Sequence, residues 1–186
     1  MPKRSPKIQI IASDVFAILE LADRVLEESK SGRWSPTPLV KLKNIFLRIC
    51  DVYPEFKDIL KDMDKAEKLF SEHDVKFSYN LGLAIGKFYG TLYRENYGIS
   101  ETISLDRISN TIEKIYEKAW YSSPSTIFLN LYDIVIELVD MLSGELKYSH
   151  VFIPEASFEI VKSQTRVDAL YHLGKLMGYL SEVTKK

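Results

Sequence analysis

The chain has 186 residues, of which 46% are hydrophobic and 27% are charged, and its formal net charge is −1. This length is sufficient for one domain or two small ones with a buried core. The near-neutral charge excludes a strong overall field that would attract nucleic acid or an anionic membrane. The single cysteine, Cys50, excludes an internal disulfide and a cysteine metal cluster.

No apolar run approaches the length of a membrane-spanning helix, and the basic start MPKRSPKIQII is not followed by a long apolar segment. We therefore expect no membrane contact and a cytoplasmic location. We also expect neither a metal nor another cofactor, because the three histidines have no metal-ligand spacing. The abundance of lysine, glutamate, isoleucine and tyrosine is compatible with a thermophilic source.

Apolar residues recur at spacings of three and four along the chain, which predicts an all-α protein. Residues 1–7 form a basic tail that we expect to be disordered. The first helix is predicted from Ile8 to about Lys30, with Gly32 ending it. Its apolar positions follow the three-and-four spacing of an amphipathic helix and are Ile11, Val15, Ile18, Leu19, Ala22, Val25 and Leu26.

A second helix is predicted to start with Ser35 as its N-cap and Pro36 at its first helical position, and to end at Pro54. Its predicted apolar face is Leu39, Leu42, Ile45, Phe46, Ile49 and Val52. A short charged helix over residues 55–70 and a longer helix from about Asp74 to Tyr97 follow.

The second half of the chain repeats this order, with helices predicted over about 104–119, 123–142 and 154–182. Trp34 directly precedes the helix start SPTP, and Trp120 precedes the helix start SPST with two residues between them. Further on, AIGKFYGTL (84–92) matches HLGKLMGYL (172–180) at four positions. We interpret the chain as a bundle of about six to seven helices built from two pseudo-symmetric three-helix repeats, 8–98 and 99–186, in one compact domain. The two tryptophans are expected to cover the bases of their units.

Five of the eight glycines lie in the third helices of the two predicted repeats, three in the first and two in the second, at a spacing of four. They are Gly82, Gly86, Gly90, Gly174 and Gly178. Each glycine costs a helix about 1 kcal/mol relative to alanine, so the spacing calls for a structural reason. A stripe without side chains lets two backbones approach closely, and we predict that the two stripes face each other. The alternative is that the glycines leave room for a ligand.

Tyr89, Tyr93 and Tyr97 form an aromatic stripe on the first of these helices, flanked by Lys87 and Arg94. Aromatic rings beside cations can stack the bases of single-stranded nucleic acid. The alternative is that the tyrosines are half-buried in the core with their hydroxyls at its rim.

The last helix contains RVDALYH, in which Arg166 and His172 resemble the Arg-x4–6-His motif of the HEPN family of helical proteins. The resemblance covers these seven residues and the helical class. It implies a metal-independent ribonuclease in which Arg166 holds the phosphate and His172 transfers a proton. The family's arginine is commonly followed by a polar residue, whereas this chain has Val167. A purely structural role instead predicts that His172 packs beside leucines and that Arg166 pairs with a nearby carboxylate.

No other catalytic or phosphate-binding motif is present in the sequence. We therefore predict a non-enzymatic helical interaction protein, an adaptor or a subunit of a larger assembly, that binds a protein partner or self-associates. The alternative is a nucleic-acid-associated protein, either a small subunit of a ribonucleoprotein complex or a HEPN-like ribonuclease.

Overall fold

The computed structural model describes residues 8–97, 113–114, 117, 159–160, 163 and 165–185. Within these residues all regular structure is helical and no β-strand occurs, which confirms the all-α prediction. The helices with described bounds are α1 (Ala12–Lys30), α2 (Thr37–Val52), α3 (Asp58–Ser71), α4 (Phe77–Tyr97) and α5 (Arg166–Val183), and a 3-10 turn spans Pro54–Phe56. The tail over residues 1–7, Trp120 and almost all of the two helices predicted over 104–142 lie outside the described residues.

The chain enters the fold as an extended segment rather than as the start of α1, which begins four residues later than predicted. The side-chain amide of Asn96 accepts a hydrogen bond from the backbone N–H of Ile8 (2.8 Å) and donates one to its carbonyl (3.1 Å). The hydroxyl of Tyr53 bonds the N–H and the carbonyl of Gln9 in the same way. These side chains satisfy backbone groups that a helix would otherwise have paired.

The start of α2 also differs from the prediction. Pro36 is the N-cap, Thr37 is the first helical residue and Pro38 lies in the first turn, without a hydrogen bond from a capping side chain. Ser35 is therefore not the cap. Pro38 lacks an N–H, so the first turn has one donor fewer that needs a cap.

Two helices end in the same hydrogen-bonding pattern with different residues at the left-handed position. After α1, Gly32 has a φ of 78°, and the N–H groups of Gly32 and Arg33 bond the carbonyls of Ser29 and Glu28. After α3, His73 has a φ of 56°, and the equivalent bonds reach the last turn of that helix. Both are Schellman motifs, a pattern in which glycine is the usual residue.

The last two helices begin later than predicted, for local reasons. The N–H of Asp74 bonds the carbonyl of Leu69 in the second Schellman motif, and the Asp74 carboxylate accepts a hydrogen bond from the N–H of Lys76. The helix therefore begins at Phe77. Thr165 is extended and caps α5, since its hydroxyl oxygen accepts a hydrogen bond from the N–H of Asp168. This cap separates α5 from the preceding residues, so the single helix predicted over 154–182 is wrong.

An aromatic core lies between α2, α3 and α4. Phe46, Phe56 and Phe88 are fully buried, and the ring of Phe88 lies 5.8 Å from that of Phe46 and 5.5 Å from that of Phe56. Their neighbours in this core include Leu42, Ile59, Met63, Phe77, Leu81 and Ile85. On its other side α4 packs along α5, and these two helices form the most extensive helix pair of the described residues.

Candidate functional site

The glycines of α4 and α5 lie between the two helix backbones. A Cβ atom built on Gly82 would be 3.0 Å from the Cα of Gly174, and one built on Gly86 would be 2.8 Å from the backbone N of Tyr179. A Cβ on Gly178 would be 3.0 Å from the backbone N of Lys87. The atoms nearest these positions belong to protein backbone, so the glycines leave no room for a ligand between the helices.

The order of these contacts shows how the two helices run. Gly82, Gly86 and Gly90 lie successively against Gly174, Tyr179 and Glu182. The helices are therefore parallel. Gly82 faces Gly174, however, whereas the sequence match aligns Gly86 with Gly174, so α5 is displaced by about one helical turn from the pairing of matched residues.

Four of the five residues of the predicted stacking surface have described side chains, and all four are partly buried. The ring of Tyr93 lies 6.2 Å from that of Tyr179, and burial raises the pKa of Tyr89. Lys87 Nζ lies 2.6 Å from Asp62 Oδ2, and both side chains are largely buried. The side chain of Tyr97 lies outside the described residues.

Arg94 belongs to a charged network at the C-terminal ends of α4 and α5. Its guanidinium lies 2.6 Å from the carboxylate of Glu182, whose side chain is only 2% exposed. Lys185 Nζ contacts the same carboxylate at 2.8 Å and that of Asp58 at 2.9 Å. The hydrogen bond from Lys185 lowers the pKa of Asp58. This network could not be recognised from the sequence, because Asp58, Arg94 and Glu182 are far apart along the chain.

His172 lies on the side of α5 that faces the end of α1. Its Nε2 is 4.0 Å from Glu159, and its buried Nδ1 has no hydrogen-bond partner. Burial, assisted by the nearby ammonium group of Lys175, lowers the pKa of His172 to about 4. His172 is therefore neutral at pH 7. Arg166, the other residue of the Arg–His motif, is exposed.

The carboxylate of Asp168 completes this side of α5. It accepts hydrogen bonds from Lys30 Nζ at 3.0 and 3.1 Å, and the hydroxyl of Thr165 donates to it at 2.8 Å. Lys30 also lies 2.8 Å from Glu27. These pairs connect the end of α1 to the start of α5.

Trp34 packs at the loop between α1 and α2. Its ring stacks on that of His73, with centroids 4.9 Å apart and planes inclined by 6°. Its edges meet Phe70 at 5.1 Å and Phe77 at 5.7 Å. Trp34 thus covers the ends of α3 and α4. The expected equivalence with Trp120 is not tested, because Trp120 lies outside the described residues.

Two residues assigned to the apolar faces of the first two helices are instead exposed. Ile11 is 69% exposed because it precedes α1, and Val52 is 68% exposed because it is the last residue of α2. Both line a shallow groove of about 270 Å³, which we call the α1–α2 groove. The groove is lined by Gln9, Ile10, Ile11, Asp14, Arg48, Ile49, Val52 and Tyr53.

A second depression, of about 380 Å³, lies between the end of α1 and the start of α2. Its charged lining residues are Arg24, Glu27, Glu28, Arg33 and Lys41. Both charge signs are present, so the depression favours neither an anion nor a cation. No group of histidine, cysteine and acidic residues within the described part of the chain could hold a metal ion.

Comparison with known proteins identifies no relative: no family model, curated protein or solved structure matches this sequence. The helices that the structure describes include none long and apolar enough to cross a membrane.

Proposed function

We propose that this chain is a non-enzymatic helical interaction protein that binds a protein partner through the α1–α2 groove. The observation that carries the proposal is that Ile11 and Val52, two large apolar side chains, are both exposed and line the same groove. Grouped apolar exposure of this kind is typical of interaction sites, whereas single exposed apolar residues are ordinary.

The rim of the groove supports the same proposal. Asp14 and Arg48 lie 3.4 Å apart beside the apolar residues, and Arg48 is 67% exposed. An apolar centre with a polar, solvent-accessible rim is the usual organisation of a protein interface. The groove is shallow and contains neither histidine nor cysteine, so its residues are better suited to docking than to acid–base or nucleophilic chemistry.

The geometry gives less support to the nucleic-acid alternatives. Stacking of bases needs accessible rings beside accessible cations, but Lys87 and Arg94 are held in ion pairs with Asp62 and Glu182. A general acid at neutral pH needs a pKa near 7, and that of His172 is about 4. We retain neither a ribonuclease nor a stacking surface as the proposed function.

We further propose that the whole chain comprises two three-helix repeats in a cytoplasmic protein. The parallel packing of α4 and α5 through glycines supports this duplication, because helices related by a twofold axis along their length run parallel. On this proposal, the displacement by about one turn is a difference that arose after the duplication. The single buried cysteine, Cys50, suits a reducing compartment.

Site-specific photo-crosslinking tests the docking function. A photoreactive amino acid is placed at Val52 in the groove or, as a control, at Asn44, which is exposed elsewhere on α2. In the protein's native cells we expect a protein adduct from position 52 and none from position 44. The substitution Ile11→Glu should abolish the adduct. Equal labelling from both positions, or none from position 52, would contradict the proposal.

A further inference from the structure

The α1–α2 groove has a balanced charge as well as an apolar centre. Its lining contains one acid, Asp14, and one base, Arg48, on opposite helices. The chain as a whole has a net charge of only −1, so two copies repel each other weakly. A partner of strongly acidic or basic character would find no complementary field in this groove.

A surface with one acid and one base can complement itself. When two copies meet about a twofold axis, the same surface is used by both, so a contact from one residue to a second is repeated in the opposite direction. Arg48 of each copy then faces Asp14 of the other, and Ile11 and Val52 of both copies form one apolar centre. Like-charged neighbours, which would oppose such a contact, are absent from the residues that line the groove.

We infer that the occupant of the α1–α2 groove is a second copy of this chain, which forms a symmetric dimer. The inference rests on the proposed docking function and names its partner. In the dimer Arg48 pairs with Asp14 of the other copy, in addition to or in place of the 3.4 Å contact within one chain.

Sedimentation analysis of two charge-reversal variants tests this arrangement. Arg48→Glu places two acids at each contact, and Asp14→Arg places two bases there. Each variant alone should raise the dimer dissociation constant by about tenfold or more, because like charges then meet twice. An equimolar mixture should restore the dimer, since each contact in a mixed pair again joins an acid to a base.

The mixture separates a contact between chains from one within a chain, because the internal Asp14–Arg48 pair stays broken in both variants. Lys41→Glu makes the same charge change at an exposed site of α2 outside the groove, and should leave the dissociation constant unchanged. Val52→Glu should weaken the dimer without a matching partner that restores it. Circular dichroism melting of each variant shows whether it is folded.

Three results would overturn the second copy as the occupant: a monomer at every concentration, a dimer that neither reversal weakens, or weakened variants whose mixture gives no dimer. The crosslinking experiment distinguishes this failure from failure of the docking function. An adduct of Val52 with a different protein, found for a monomeric chain, would support docking and overturn the dimer. The absence of any adduct would contradict both.

Discussion

The two sides of α4 are packed by opposite means. Towards α2 and α3 the helix presents large side chains, and Phe88 is fully buried against two other phenylalanine rings. Towards α5 it presents glycines, and the nearest atoms to Gly82 and Gly86 are backbone atoms of α5. Both sides exclude water, one with aromatic volume and the other by close approach of two backbones.

The two sides of α4 tolerate different kinds of substitution. A core of large side chains loses stability when a side chain is shortened, because a cavity remains. A glycine interface loses stability when any side chain is added, because the opposing backbone has no rotamer by which to move aside. The same helix should therefore respond to substitutions of opposite kind on its two sides.

The largest effect is expected at Gly86. A Cβ built there would lie 2.8 Å from the backbone N of Tyr179 and closer still to the carbonyl of Lys175. Gly86→Leu should leave the protein without a cooperative unfolding transition above 25 °C. Gly86→Ala should lower the free energy of unfolding by about 1–3 kcal/mol, although alanine has a higher helix propensity than glycine. Thermal melting followed by circular dichroism measures both.

A small-to-large change on an exposed helix position provides the control. Ala12→Leu, at the start of α1, should leave the melting temperature almost unchanged. If Gly86→Leu melts at or above the temperature of the unaltered protein, the two helices are not in backbone contact.

The next largest effect is expected on the aromatic side. Phe88→Ala should reduce the free energy of unfolding by about 3–5 kcal/mol, because it leaves a cavity between Phe46 and Phe56. Phe16→Ala makes the same substitution at a phenylalanine that is 72% exposed, and should cost less than about 0.5 kcal/mol. Denaturant unfolding of the two variants gives the difference, and similar losses for both would show that Phe88 is not a core residue.

The sequence was a good guide to features that depend on helical periodicity. The spacing of four among the glycines predicted two stripes that meet, and the structure places Gly82 against Gly174. Periodicity works for this feature because the glycines repeat along one helix axis. Gly32, as a stop signal, predicted that the first helix ends at about Lys30, and α1 ends there.

The sequence was a poor guide where tertiary contacts decide the outcome. Val52 fits the apolar pattern of α2 but lies at its last residue, where the helix leaves the core, so the groove was not foreseen. The left-handed backbone of His73 was also unforeseen, because its ring stacks on Trp34, which is distant in the sequence. The charges of Arg94 and Lys87 suggested a binding surface, since their buried partners could not be identified from spacing.

The smallest effect concerns a third surface, the side of α5 that faces α1, where ionisable groups replace both aromatic rings and glycines. Lys30, Glu159, Asp168 and Lys175 provide the charges around His172. Their opposing signs nearly balance, so burial is the main reason that the pKa of His172 is lowered to about 4. The stability that this surface provides should therefore decrease in acid.

The direction of that response follows from proton binding. Between its ordinary pKa of 6.5 and the folded value of about 4, His172 binds a proton in the unfolded chain but not in the folded protein. Stability should therefore be unaffected by this group above about pH 6.5 and should fall as the pH decreases towards 4, by about 2 kcal/mol at pH 5.

His172→Gln, which cannot titrate, should lack this part of the loss, whereas His73→Asn at the exposed histidine should retain it. Denaturant unfolding at pH 7.5 and about pH 5 gives the comparison. If the unaltered protein and His172→Gln lose the same free energy over this range, His172 is accessible to protons in the folded state and α5 does not bury it against α1.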